Sequence, residues 1–249
     1  MAATLNSFLG NLDKVPEYID ECKRINIQIL KPDINRSDTK FTVRKGEIRF
    51  GLGSIKNVGE KAVDLVCEER AKNGEFKSLA DFCERMSGEA VNKKCIESLI
   101  KAGCFDELGE TRATLLASFE GIIDTIADNE KKSLKGQVSM FDLGGETEES
   151  NIEDIKYNIQ VRPELSKKEL LSMEKEMLGL YISGHPLENL REQILSQTNI
   201  NTLKMHEIAG GEETEFKDGQ NVTYAGIVTS VSAGNTICGV LETLSEKAE

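Results

Sequence analysis

The sequence predicts a mainly α protein, with short helices paired across glycine turns, a small α/β piece at the N-terminus and a β segment opening near the C-terminus. Three observations predict this. Of the 249 residues 39% are apolar, only 5% are aromatic and none is tryptophan, which suits small helical modules with modest cores better than a β-sandwich. Two glycine turns, Gly59 and Gly103, lie about 44 residues apart, each followed by a helical pattern. The stretch Leu165–Leu178, with Leu170, Met173, Met177 and Leu178 as its apolar stripe, is the strongest helix of the chain.

At the N-terminus, Thr4–Leu12 reads as part of a helix without a proper cap, and the abrupt start suggests a larger polypeptide upstream. Val15–Ile25 is a helix with Pro16 in its first turn, where a missing amide hydrogen costs nothing. Tyr18, Ile19, Cys22 and Ile25 share one face. Ile27–Leu30 is a short strand halted by Lys31-Pro32-Asp33, and Phe41–Val43 with Ile48–Phe50 alternate around Lys45-Gly46-Glu47, a hairpin signal.

Ile55-Lys56-Asn57-Val58-Gly59-Glu60-Lys61 resembles the turn of a helix-hairpin-helix element. A short turn there ends at a helix N-terminus, whose exposed amides can receive a phosphate oxygen. Gly59 admits a close backbone approach, Asn57 tolerates positive φ, and Lys56 and Lys61 flank the anion. Val63, Val66 and Cys67 of the following helix face a core. In the second copy Asn92–Ile100 is helical, Lys101-Ala102-Gly103-Cys104-Phe105 makes the turn and Thr111–Ala127 is the next helix, with Thr111 as N-cap. Phe76–Phe82 links the copies as a short helix. Either glycine alone would serve as a plain helix stop; the recurrence beside lysines points to phosphate, which positions a protein on duplex without reading sequence.

Charge supports a local rather than a global contact. The net charge of -12 excludes a chain that coats nucleic acid indiscriminately. Residues 40–136 hold 17 basic and 17 acidic residues, whereas 137–249 hold 9 against 20. Only the middle of the chain has enough basic residues for a positive face.

Gln137-Val138-Ser139-Met140-Phe141 follows, between the lysine-rich Lys131–Gly136 and the polar Gly144–Ser150. An amide at a pocket rim and two large apolar side chains make a compact plug, and such buried anchors dominate interface energies. By itself it also reads as a short strand with a chance Met-Phe pair. The polar stretch reads as a loose tether, which raises the effective concentration of a docking peptide at its target. Six cysteines (Cys22, Cys67, Cys83, Cys95, Cys104, Cys238) show no C-x-x-C pairing and only His185 and His206 accompany them, so a zinc site is not expected and the thiols should be reduced. His185 reads as a loop histidine without a nucleophile or carboxylate nearby. No signal peptide or membrane-length apolar run is present, and the expected location is cytoplasmic. Asn221–Val231 alternates like the first strand of a barrel, with 18 residues after it.

In their order, these stretches resemble the DNA polymerase III alpha subunit, the bacterial replicative polymerase. Leu9–Val15, Tyr18–Cys22, Ile48–Leu52, Ile55–Gly59, Leu99–Gly103, Gln137–Phe141, Glu174–Glu176 with Leu178-Gly179, and Ser183–Leu187 carry the resemblance, which covers roughly residues 4 to 231. It implies that residues 1–50 close the fingers region and 51–128 form a tandem helix-hairpin-helix module on the emerging duplex. Residues 129–162 become a flexible linker with a clamp-binding peptide, 163–208 a helical connector, and 209–249 the truncated start of an OB-like β barrel. The implied partners are primer-template DNA, a sliding clamp and other replisome subunits, with no membrane. Lys56, Asn57, Gly59, Lys61, Lys101 and Gly103 would meet DNA phosphates; Gln137, Met140 and Phe141 would meet the clamp. The family's catalytic aspartates lie upstream, so no catalytic residue, metal site or cofactor is expected in this chain, and magnesium belongs to the full-length polymerase. Ser232–Glu249 departs from the family pattern, as a truncation, a frameshift or an incomplete gene model would produce. A free-standing adaptor linking clamp to DNA and a plain helical structural protein are the alternative readings.

Overall fold

The structure, a computed structural model, describes residues 1–8, 14–87, 91–142, 157–200, 204, 205, 208, 210, 216, 217, 219–232 and 238–242; from 132 to 142 only the backbone is considered. The chain divides into two units, Met1–Ile182 and Ser183–Glu249.

The first unit begins with α1 (Ala2–Ser7) and α2 (Val15–Arg24). Sequence placed Ile25 on the buried face of the second helix, but α2 ends at Arg24, Asn26 turns left-handed at φ 57, and Ile25 is exposed. The strand β1 (Ile29–Leu30) runs parallel to β3 (Glu47–Arg49), which pairs antiparallel with β2 (Thr42–Arg44), so Ile48 faces both Ile29 and Val43. Lys45 and Gly46 both have positive φ, 53 and 87, the geometry that matches a two-residue hairpin to strand twist. Phe41 and Phe50 meet edge-on beneath this sheet, with centroids 4.8 Å apart.

The helical part is α3 (Glu60–Asn73), α4 (Leu79–Arg85), α5 (Lys93–Lys101), α6 (Arg112–Asp142) and α7 (Lys167–Leu178). Their starts follow the capping chemistry of the sequence. Ser78 accepts from the Asp81 amide and Asn92 from that of Cys95, and Ser166 with Glu169 forms a capping box on α7. The short helix expected at Phe76–Phe82 therefore lies a few residues later. Phe76, Phe82 and Phe105 stack edge-on in a row, at 5.0 and 5.2 Å, and all three are fully buried. One hydrophobic cluster runs from Leu5 through these rings to Leu180. Cys22, Cys83, Cys95 and Cys104 are free thiols buried within it, acting as small apolar side chains.

Two helices depart from expectation. The sequence ended the helix after the second turn at Ala127; α6 continues to Asp142, so the backbone at Gln137–Phe141 is helical. In α7 the buried positions are Leu171, Glu174, Met177 and Leu178, while Leu170 and Met173 are only half-buried. A glutamate thus occupies the stripe that apolar periodicity assigned to a neighbour.

The second unit contains α8 (Arg191–Gln197) and a two-stranded antiparallel ribbon of β4 (Ile227–Ser232) and β5 (Cys238–Glu242), with a bulge between Val228 and Ser230. The strand expected from Asn221 begins only at Ile227. Residues 221–226 form an extended lead, fixed where the Thr223 amide donates to Asn199 Oδ1 (2.7 Å) and its carbonyl accepts from the Asn199 amide (3.2 Å). No helix among the described residues is long and apolar enough to cross a membrane.

Candidate nucleic-acid interface

The first glycine turn is open. Gly59 is the N-cap of α3, extended at φ -79 and ψ 148, and among the described residues no side chain caps the helix. A Cβ placed on Gly59 would have nothing within 4 Å. Lys56, Asn57, Gly59 and Lys61 are all exposed. Asn57 stands in the left-handed region at φ 64, where asparagine is among the few tolerated residues, and its amide donates to Ser98 Oγ on α5 (3.1 Å). The Lys56 amide donates to the Met177 carbonyl at the end of α7 (3.0 Å). A side-chain bond to α5 and a backbone bond to α7 thus hold the turn, while its outer face offers helix-start amides between two ammonium groups. That face suits an anion, with the exposed Glu60 in the first turn of α3 opposing it.

The second turn has the opposite surroundings. Gly103, at φ 81, is buried, and a Cβ there would stand 2.7 Å from Arg112 Cζ and 2.9 Å from Asp106 Oδ2. The Arg112 guanidinium, 3% exposed, covers the glycine. Its Nε and Nη2 donate to the two Asp106 oxygens (2.8 and 2.7 Å), its Nη1 to the Lys101 carbonyl (3.2 Å) and its Nη2 also to Glu174 Oε1 (3.1 Å). Glu174 is 2% exposed, and Lys31 Nζ lies 3.7 Å from Asp106. Two cations and two carboxylates balance, as a buried ionic cluster requires. Burial disfavours the Arg112 cation, but the bonds to Asp106 and Glu174 more than offset this and raise its pKa. Lys101 pairs with Glu97 on its own helix (2.8 Å), a bond that holds its ammonium pKa above the usual lysine value against the opposing effect of burial. Thiols around the turn are buried too: burial pushes the Cys104 thiol well above its ordinary pKa and that of Cys95, in the first turn of α5, up to about 11.

The helix start after this second turn already holds an anion. The Arg112 and Ala113 amides donate to the Glu164 carboxylate (3.0 and 3.3 Å), and the Thr114 amide to Thr111 Oγ1 (3.1 Å), so Thr111 caps the helix as the sequence suggested. Glu164 belongs to a strap, residues 157–166, that runs back along α6. The Gln160 amide donates to Ser118 Oγ (2.8 Å) and the Arg162 amide to Thr114 Oγ1 (2.9 Å), while the Arg162 carbonyl accepts from the Thr111 hydroxyl (2.9 Å). The strap begins where the Tyr157 hydroxyl meets Glu84.

Of the six residues expected at DNA phosphates, the structure gathers Lys56, Asn57, Gly59 and Lys61 on one exposed turn and places Lys101 and Gly103 in a closed one. Sequence reasoning gave no role to Arg112 or Glu164, and met Glu174 only as part of the resemblance. One signal was present. An arginine in the first turn of a helix opposes the helix dipole, and with no acidic residue in that turn of α6 the compensating carboxylates must come from elsewhere. For Gln137, Met140 and Phe141 the backbone is helical and the side chains lie outside the described residues. Among the described residues, no three His, Cys, Asp or Glu side chains are grouped to hold a metal ion.

Comparison with known proteins matches residues 26–115 to the helix-hairpin-helix motif, a range that includes both turns. Over 236 residues the chain is 39% identical to DNA polymerase III subunit alpha of Borreliella burgdorferi, covering 95% of this chain and 20% of that protein. The subunit of the same name from Saccharopolyspora erythraea is 37% identical over 93% of this chain. That of Deinococcus radiodurans is 44% identical over 76% of it. The chain spans about a fifth of the length of the first of these relatives.

Proposed function

Given that this chain belongs to the family of DNA polymerase III subunit alpha, we propose that it is a non-catalytic segment of a replicative DNA polymerase that holds duplex DNA by its sugar-phosphate backbone. The observation that carries this reading is the open turn, with Gly59 uncapped and uncrowded between exposed Lys56 and Lys61. Contacts of this kind add affinity and register but read no sequence. The second turn supports the grip from inside, because its helix amides and its glycine are taken by Glu164 and Arg112. Nucleotide addition is left to other parts of the polymerase.

The test is duplex binding by the full chain across a salt series. The Lys56→Glu, Lys61→Glu double variant should weaken binding equally for unrelated sequences and lower the slope of log K against log salt by about 2, one for each lost phosphate contact. An unchanged slope, or a loss confined to certain sequences, would remove the assignment.

The same reading gives Gln137, Met140 and Phe141 to a sliding clamp. Two large apolar side chains and an amide within five residues, followed by an acidic polar stretch, support it. The peptide would leave the helical state at the end of α6 to dock. Met140→Ala with Phe141→Ala should abolish clamp binding in calorimetry, and retained affinity would end that assignment. Residues 209–249 are read as the opening of an OB-like barrel, a reading supported by the bulged ribbon of β4 and β5.

A further inference from the structure

The open turn is braced from behind by α7, and α7 is held in turn by one buried carboxylate. Glu174 Oε1 accepts from Arg112 Nη2 (3.1 Å) and its Oε2 from the Ile182 amide (3.3 Å), which fixes the end of α7 to the closed turn. Met177, three residues further and so one helical turn along, presents the carbonyl that accepts the Lys56 amide at 3.0 Å. A rigid helical turn therefore joins the ion pair to the peptide unit that begins the phosphate-facing loop. An apolar residue at 174 would bury as well, but it has no preferred azimuth; a carboxylate bonded on both oxygens does. Any rotation or slide of α7 that breaks the Glu174 bonds also withdraws the Met177 carbonyl from Lys56.

We propose that Glu174 is a positioning residue for backbone contact at the first turn, acting through α7 and the Met177 carbonyl while touching no DNA itself. The inference rests on the reading of the first turn as a phosphate site, and it makes the closed turn, through Arg112, the anchor that keeps the open one in shape. The left-handed Asn57 needs that anchor. Its only other fixed partner among the described residues is Ser98 Oγ on α5, so α5 and α7 hold successive residues of one loop.

The experiment uses the full chain, with Glu174→Gln as the variant and Glu174→Asp as a second that keeps the charge and shortens the reach. Two quantities are read: hydrogen exchange of the Lys56 amide, with the Gly74 amide as reference because it bonds to Arg70 at the far end of α3 (3.0 Å), and affinity for a mixed-sequence duplex. Loss of a charged hydrogen bond should speed Lys56 exchange about tenfold relative to Gly74. Duplex affinity should fall roughly 2- to 30-fold, the span of a coupling passed through packed elements. The salt slope should stay at its original value, because both lysines remain. Faster exchange at Lys56 with unchanged affinity overturns the positioning role, and so does a folded variant in which neither quantity moves. Should Glu174→Gln fail to fold, the same outcomes apply to Glu174→Asp. Failure of the phosphate reading is separable, since it appears as an unaltered salt slope in the Lys56→Glu, Lys61→Glu protein.

Discussion

Gly59 and Gly103 each stand in a turn ahead of a helix, one directly at the start of α3 and the other nine residues before α6, and their surroundings are opposite. At Gly59 the glycine has an ordinary backbone and an empty surround, so the missing side chain leaves space on the outside. At Gly103 it has a left-handed backbone and a guanidinium against it, so the missing side chain leaves space on the inside. The first helix start is uncapped; the second is filled by Glu164. The second turn is a support whose anion and cation are both supplied by the chain.

The comparison can be broken most severely at Arg112. Arg112→Met should cost about 3–5 kcal/mol in urea unfolding, because it leaves Glu174 buried without its cation and Asp106 with Lys31 alone. Adding Glu174→Met should recover much of that, since a matched apolar pair removes the stranded charge. If the double variant is as unstable as the single, the ion pair is not what fixes α7.

Next comes the same substitution made at both turns. Gly103→Ala should cost roughly 2–4 kcal/mol, combining a left-handed alanine with a collision against Arg112. Gly59→Ala should change stability by less than about 0.5 kcal/mol, yet weaken duplex binding by placing a methyl group where a phosphate approaches. Thermal unfolding and a binding titration on each variant measure the pair. Equal stability losses would mean that the turns are not different in kind.

Between those two stability effects falls Asn57→Ala, about 1–2 kcal/mol from backbone strain and the lost bond to Ser98. Asn57→Gly keeps the backbone and loses only the bond, so it should recover part of that cost. If glycine is no better than alanine there, the left-handed geometry is not a constraint on the turn.

The open turn was legible in the sequence because everything that makes it is local: Asn57 for the positive φ, Gly59 for the approach, and a lysine on either side. The spacing of the closed turn was equally legible, but not its contents. Arg112 comes from the next helix, Glu164 from beyond a polar spacer and Glu174 from a further helix, and no periodicity links them. Glu174 shows the reason most clearly. Apolar patterning places hydrophobic residues on the buried stripe and has no means of reporting a carboxylate whose cation lies 62 residues away. The length of α6 was missed for a milder reason. Lys131-Lys132-Ser133-Leu134-Lys135 read as the start of a tether, but these residues sustain a helix, and a single Gly136 costs only about 1 kcal/mol within one. At Ile25 the pattern was right by period and wrong by one residue, because Asn26 turns the chain before the last apolar position can be buried.

The strap along α6 has a mechanical consequence. Its residue numbers rise as those of the helix fall, from Ser118 to Thr114 to the helix start. A pull on the chain before Tyr157, directed toward Asp142, is therefore parallel to the bonded row and loads its links together, as in shear. A pull outward from the helix would open them one at a time.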